Sequence, residues 1–229
     1  MSQALFITGT GAGLFGGAGV GKTTAAIAIL QALADMSYDT AYYKPVVTGT
    51  DSIPESDAGR VRAACDLEQD VLTLTSYVFK DAVSPHLAAA QLMQPVDQEM
   101  IGADFASVSL LHDATIVEGT GGIICPYTLY ADGRRVMQAD VVKALGLASV
   151  IVADSGPDTL NATLLTAGYM RAHDLPIAGV ILNHFDARDL VCQDTLATIE
   201  LLGDTDVVAT IAEGGAMTLR KPFFLLEQE

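Results

Sequence analysis

The chain has 229 residues, half of them hydrophobic, with a formal net charge of −16 and three cysteines. That length buries a sizeable core without staples, and so negative a field works against sequence-independent binding to nucleic acid or an anionic membrane. No apolar run reaches the ~18 residues that span a bilayer, and the opening MSQALFITGTG carries neither a basic region nor a small-residue cleavage site, so the expectation is one cytoplasmic domain over residues 1–229.

In chain order, the first apolar run is ALFIT at 4–8, which reads as a buried strand. A Gly-rich stretch at 9–21 follows, and then residues 22–36, where Ile27, Leu30 and Ala34 fall on one helical face. TAYYKPV at 40–46 reads as a second strand. Residues 47–96 are less regular, with Pro54, Pro85 and Pro95, and are expected to lay helices and loops over the C-terminal edge of a sheet. Beyond them come a helix at 97–112, the strand ATIVEG at 114–119, a helix at 135–146, the strand ASVIVAD at 148–154 and a helix at 158–173. The strand IAGVILN at 177–183, a helix at 187–202 and the strand DVVATI at 206–211 complete the pattern. Alternation of this kind predicts an α/β fold with a mostly parallel sheet of six or seven strands flanked by helices; with the phosphate-loop motif at 16–23, that fold is like that of the P-loop NTPases. Cys65, Cys125 and Cys192 are too few and too far apart for a disulfide framework or a zinc cluster and read as reduced, buried thiols.

Residues 16–23, GGAGVGKT, match GxxxxGK[ST] in full, between a strand and a helix as that motif requires. Its chemistry needs glycines so that successive backbone N–H groups turn onto phosphate oxygens, a lysine that reaches the β and γ phosphates, and a hydroxyl on Mg²⁺. Gly19, Val20, Gly21, Lys22, Thr23 and Thr24 are therefore the candidate nucleotide contacts. The overlapping GAGLFG at 11–16 spells the dinucleotide fingerprint, but the helix opens only after Gly21 and the second strand ends in Lys44-Pro45 instead of an acid, so NAD and FAD are rejected.

Other residues converge on the same sheet edge. Lys44 is either a phosphate-facing cation or a solvated strand-end lysine. Asp57 either caps a short helix after Pro54 or ligates Mg²⁺ through water. Glu118 ends an apolar strand ahead of Gly119, Gly121 and Gly122, as the second Mg²⁺ anchor of P-loop proteins does, with structural capping as the alternative. Asn183 ends another strand as ILNHFD, where it reads a base or forms a turn; Asp186 gives this a likeness to guanine-reading NKxD, with His184 in place of the lysine.

Thr8-Gly9-Thr10, GVGKT (19–23), YKPVVTGT (43–50), SDA (56–58), SPHLAA (84–89) and VEGTGG (117–122), in this order, resemble dethiobiotin synthetase over residues 4 to about 185. The resemblance implies a P-loop homodimer that converts 7,8-diaminononanoate, CO₂ and ATP into dethiobiotin, ADP and phosphate. It implies Lys22 as the phosphate-loop lysine, Thr23, Asp57 and Glu118 as Mg²⁺ ligands, and Lys44 as the lysine meeting a carbamate and the transferring phosphoryl group. Thr48 falls near the diamine, Gly121 and Gly122 beside the substrate, Leu160 and Asn161 on its carboxylate across the dimer interface, and Asn183 on adenine. The chain departs from the family where Gly17-Ala18 replace Asp-Thr and where Gly9 and Lys22 stand 13 positions apart, an insertion at Gly11–Gly16 expected to form a flap. A partitioning or switch ATPase acting on a protein partner is the alternative; residues 16–20 lack the extra lysine such proteins carry.

Overall fold

A computed structural model describes residues 3–11, 19–130, 132–156 and 158–226. The expected flap lies outside these apart from Gly11, and so do Gly16 to Ala18. The chain runs β1 (Gln3–Gly9), α1 (Lys22–Asp35), β2 (Thr40–Tyr43), β3 (Val46–Thr48), α2 (Asp57–Ala64), β4 (Tyr77–Phe79), α3 (Pro85–Gln91) and α4 (Gln98–Ser109). It continues through β5 (Ala114–Gly122), β6 (Pro126–Leu129), β7 (Arg135–Met137), α5 (Gln138–Leu145), β8 (Ala148–Asp154), α6 (Thr159–Ala172), β9 (Ile177–Asn183), α7 (Leu190–Gly203), β10 (Val207–Ile211) and β11 (Met217–Leu219).

Seven strands form the main sheet in the order β11-β10-β9-β8-β1-β5-β2. All neighbours are parallel except β10 and β11. Such a sheet must be covered on both faces, and its strands are accordingly apolar throughout. Leu5 and Ile7 of β1 face a core with Ile29, Leu30 and Leu33 of α1, whereas Phe6 faces the opposite core with Ile101 of α4, Val142 of α5 and Ile199 of α7. Each such side chain contributes roughly 1.5–3 kcal/mol on burial. Because the parallel strands end together, Gly9, Tyr43, Gly122, Asp154 and Asn183 all come to one edge of the sheet. No described helix is long and apolar enough to cross a membrane.

Two expectations change. Residues 40–46 are not one strand: Pro45 has no N–H to continue a ladder, and the Lys44 N–H donates to the Leu74 carbonyl at 2.8 Å. The chain therefore leaves the main sheet, and β3 pairs in parallel with β4 in a separate two-stranded sheet. Residues 135–137 are strand instead of helix, because they pair antiparallel with β6; such long-range pairing has no local period. The sheet has seven strands, within the expected six or seven; the seventh, β11, is a three-residue segment too short to show alternation. The described thiols are free, with Cys192 buried and Cys65 and Cys125 half-buried; burial raises the latter two to about 11.

Candidate functional site

A cleft of 590 Å³ opens at the C-terminal edge of the sheet, where α/β proteins place their ligands. Its floor is the start of α1. Gly21 precedes that helix with φ +93, and a Cβ there would stand 2.0 Å from Nδ2 of Asn183, so only glycine allows β9 and the phosphate loop to approach this closely. The Asn183 amide, 1% exposed, in turn donates to the Val20 carbonyl at 3.2 Å. The end of β9 thus holds the loop from behind.

One wall carries a compact polar network. Glu118, 1% exposed, accepts on Oε1 from the Thr23 hydroxyl at 3.0 Å and from Lys44 Nζ at 2.8 Å, and on Oε2 from the Tyr42 hydroxyl at 2.9 Å. Lys44 Nζ also donates to Asp57 Oδ2 at 2.8 Å. Lys44 is 5% exposed. Burial by itself pulls its pKa down, but Glu118 and Asp57 outweigh it and raise the lysine above its ordinary value. Asp57 shows the converse: partial burial pushes upward, and Lys44 with Arg60 brings the net shift down. Lys22 is lowered by its own burial, which Glu118 only partly offsets. Asp57 is free for these contacts because Ser56 caps α2, its hydroxyl accepting from the Ala58 and Gly59 N–H groups.

The cleft gathers Gly19, Gly21, Lys22, Thr23, Thr24, Lys44, Thr48, Asp57, Glu118, Gly121 and Asn183 of the residues singled out in the sequence. Gly122 and Asn161 line a neighbouring cavity of 420 Å³ together with Gly9, Thr10 and Cys125. Val20 is buried behind the loop, and Leu160 is half-buried against the core beneath α6.

Two site features went unread in the sequence. Arg60 lines the cleft one helical turn beyond Asp57 and lies 3.5 Å from it. Gln138, fully buried, ties down the end of β5: its Oε1 accepts from the Thr120 N–H at 2.7 Å and from the Tyr127 hydroxyl of β6 at 2.8 Å, and its Nε2 donates to the Gly122 carbonyl at 3.0 Å. Gly119 is small for the same reason, since a Cβ there would meet Gln138 at 2.6 Å. An Asp or Arg spaced at one helical turn was the available clue for Arg60; Gln138, at the start of a helix, offered none.

Asp57 and Glu118 already share a cation in Lys44, and the Thr23 hydroxyl donates to the same Glu118 oxygen that the lysine meets. Two carboxylates and a hydroxyl beside a phosphate loop are the hard-oxygen set that suits Mg²⁺, which completes its shell with phosphates and water. No group of three or more His, Cys, Asp and Glu with metal-ligand geometry occurs among the described residues.

A parallel sheet with a glycine-led lysine–threonine helix start and a strand-end acid defines a P-loop ATPase. The solved structures agree on the fold: MinD from Pyrococcus horikoshii with Mg-ADP aligns with a TM-score of 0.57 at 16% identity, covering 93% of this chain and 82% of that one. The MinC:MinD complex from Aquifex aeolicus aligns equally well at 15% identity, with the same coverage. The family model described as an AAA domain matches residues 3–217. An ATP-dependent dethiobiotin synthetase from Brachyspira hyodysenteriae is 35% identical over 93% of this chain and 94% of its own length. One from Clostridium botulinum strain Loch Maree is 32% identical over 83% and 82%. The chain is an enzyme and belongs to the ATP-dependent dethiobiotin synthetase family.

Proposed function

We propose that this enzyme closes the ureido ring of dethiobiotin from 7,8-diaminononanoate, CO₂ and ATP, and that the cleft described above is where it does so. The observation that carries the reading is Lys44: a buried cation lining the same phosphate-loop cleft as Lys22, in a protein with only 12 lysines and arginines. A switch ATPase needs to hold phosphate; this reaction must hold a second anion beside it.

In the proposed sequence, one amine adds to CO₂ and sheds a proton, giving a carbamate. Its oxygen attacks the γ-phosphoryl group and ADP leaves. The second amine then attacks the carbonyl of the mixed carbamic-phosphoric anhydride, loses its proton, and expels phosphate as the ring closes. Every intermediate is anionic, so the protein's task is positioning and charge stabilisation. Lys22 would grip the β and γ phosphates, and Lys44 the carbamate oxygen and the phosphoryl group in flight. Backbone N–H groups of Gly19 to Thr24 would cradle the nucleotide, and Asn183 would face the adenine.

Thr23, Asp57 and Glu118 would hold Mg²⁺, which when bound supplies charge neutralisation on the phosphates. Thr48, Gly121 and Gly122 would border the diamine. Leu160 and Asn161, at the start of α6, would meet its carboxylate, a position where a helix N-terminus favours an anion. The reading carries with it a single domain over residues 1–229, a homodimer, and a cytoplasmic address.

The test is to incubate the purified protein with Mg²⁺-ATP, bicarbonate and 7,8-diaminononanoate, following ADP and identifying product by mass. Dethiobiotin that depends on both the diamine and bicarbonate is expected. ATP hydrolysis indifferent to the diamine, without dethiobiotin, would overturn the assignment in favour of a switch ATPase.

A further inference from the structure

We propose that Tyr42 is a positioning residue for this reaction: its hydroxyl holds one oxygen of Glu118 so that the other stays turned toward Thr23 and Lys44. The proposal rests on the reading of Glu118 as a Mg²⁺ contact.

The strand register makes the contact. Tyr42 pairs opposite Ile116, and Glu118 lies two residues further along β5. Residues two apart share a face and are separated by ~6.6 Å, a gap that a tyrosine side chain bridges along the strand direction. Tyr43, the next residue, turns to the other face and shares a hydrogen bond with Ser76, so the contact depends on register and not on a tyrosine merely being near. Tyr42 is fully buried and Glu118 nearly so, which leaves the phenol as the donor to Oε2 at 2.9 Å.

Its backbone is anchored as well. β2 is the last strand of the sheet, and on its open side the Gln69 amide takes the place of another strand: Oε1 accepts from the Tyr42 N–H, and Nε2 donates to the Tyr42 carbonyl, each at 2.9 Å. A glutamate's terminal torsion is broad and two-fold. A fixed donor on Oε2 removes that freedom and leaves Oε1 as the oxygen that meets Thr23 and Lys44. Partners of metal ligands commonly change metal affinity by 10–100-fold when removed.

The experiment titrates Mn²⁺, as a spectroscopic stand-in for Mg²⁺, into the ADP-bound protein and reads free Mn²⁺ by EPR, without turnover. Tyr42→Phe is expected to bind ADP in the absence of metal as the wild type does and to bind Mn²⁺ about tenfold more weakly. Wild-type Mn²⁺ affinity in Tyr42→Phe, with weakened binding in Glu118→Gln, would overturn the role of Tyr42 and leave the metal reading intact. Unchanged Mn²⁺ affinity in Glu118→Gln would instead overturn the metal reading itself. Should Tyr42→Phe fail to fold, wild-type protein labelled at the tyrosine ζ-carbon decides. Mg²⁺ should then move, in the ADP complex, the one tyrosine resonance that also shifts in Glu118→Gln, and no responsive resonance would overturn the proposal.

Discussion

The two ends of the site are built differently. On the phosphate side, Lys44, Glu118 and Thr23 are all under 10% exposed, stand just after β2, on β5 and in the first turn of α1, and are joined by hydrogen bonds through Glu118. On the side of Gly122 and Asn161 the cavity walls belong to the loop after β5 and the exposed face of α6, with Ile124 and Leu165 both more than half exposed. In the first arrangement Lys44 is paired with both Glu118 and Asp57, in a place where an unpaired charge is costly. The second is held at a distance, through Gln138. The phosphate side is thus held by side chains at strand ends and a helix start, whereas the second cavity also draws on a loop and a helix face that can vary without disturbing the sheet.

The sharpest way to break this contrast is Lys44→Gln. Glu118 would then be a buried carboxylate without its cation, a loss of roughly 3–5 kcal/mol, and product formation should fall at least ~10³-fold as a charge-stabilising group disappears. Nucleotide binding should survive. Thermal melts with and without Mg²⁺ check the point, since the divalent ion should restore part of the lost stability in the variant and add less to the wild type. Wild-type turnover would remove Lys44 from the mechanism.

A smaller effect is expected from Gln138→Leu, which strips partners from the Thr120 N–H, the Gly122 carbonyl and the Tyr127 hydroxyl. Leaving the buried hydroxyl and two half-buried backbone groups short of a partner should cost about 3 kcal/mol, seen as a lower denaturation midpoint. The KM for the diamine should rise about tenfold, as for one lost charge-assisted hydrogen bond, while the Mg²⁺ dependence stays as it was. A changed Mg²⁺ dependence would show that the two ends are coupled after all.

The mildest change, Asn161→Ala, sits on an exposed helix position. Stability should move by no more than about 0.5 kcal/mol, and the KM for the diamine should rise about tenfold through loss of one hydrogen bond to a carboxylate. An unaltered KM would take Asn161 out of the substrate's reach.

Most of the framework was legible in the sequence because it is written in local signals. The runs at 4–8, 148–154 and 177–183 became β1, β8 and β9 nearly residue for residue, since a strand buried on both faces must be apolar along its whole length. Lys22 and Thr23 were legible for another reason: the phosphate loop is contiguous, so its spacing is itself the geometry. Lys44 and Glu118 were visible as charged residues at strand ends. What did not show was their mutual contact, across 74 positions, or that Ser56 caps α2 in place of Asp57.

Tyr42 and Gln138 mark where local signals stop. In the sequence Tyr42 is one more residue of a β-rich run, and Gln138 opens a helical stretch. Their roles arise only when β2 takes its register beside β5 and α5 is brought beneath the last residues of β5. By itself the sequence determined the class of fold, the phosphate loop and the charged residues at the sheet edge, because periodicity and motif spacing act over a few residues. Only the tertiary structure decided which oxygen of Glu118 meets Lys44, what holds the other, and which cavity receives Asn161, because a hydrogen bond between strands depends on register and packing that no short stretch of chain contains.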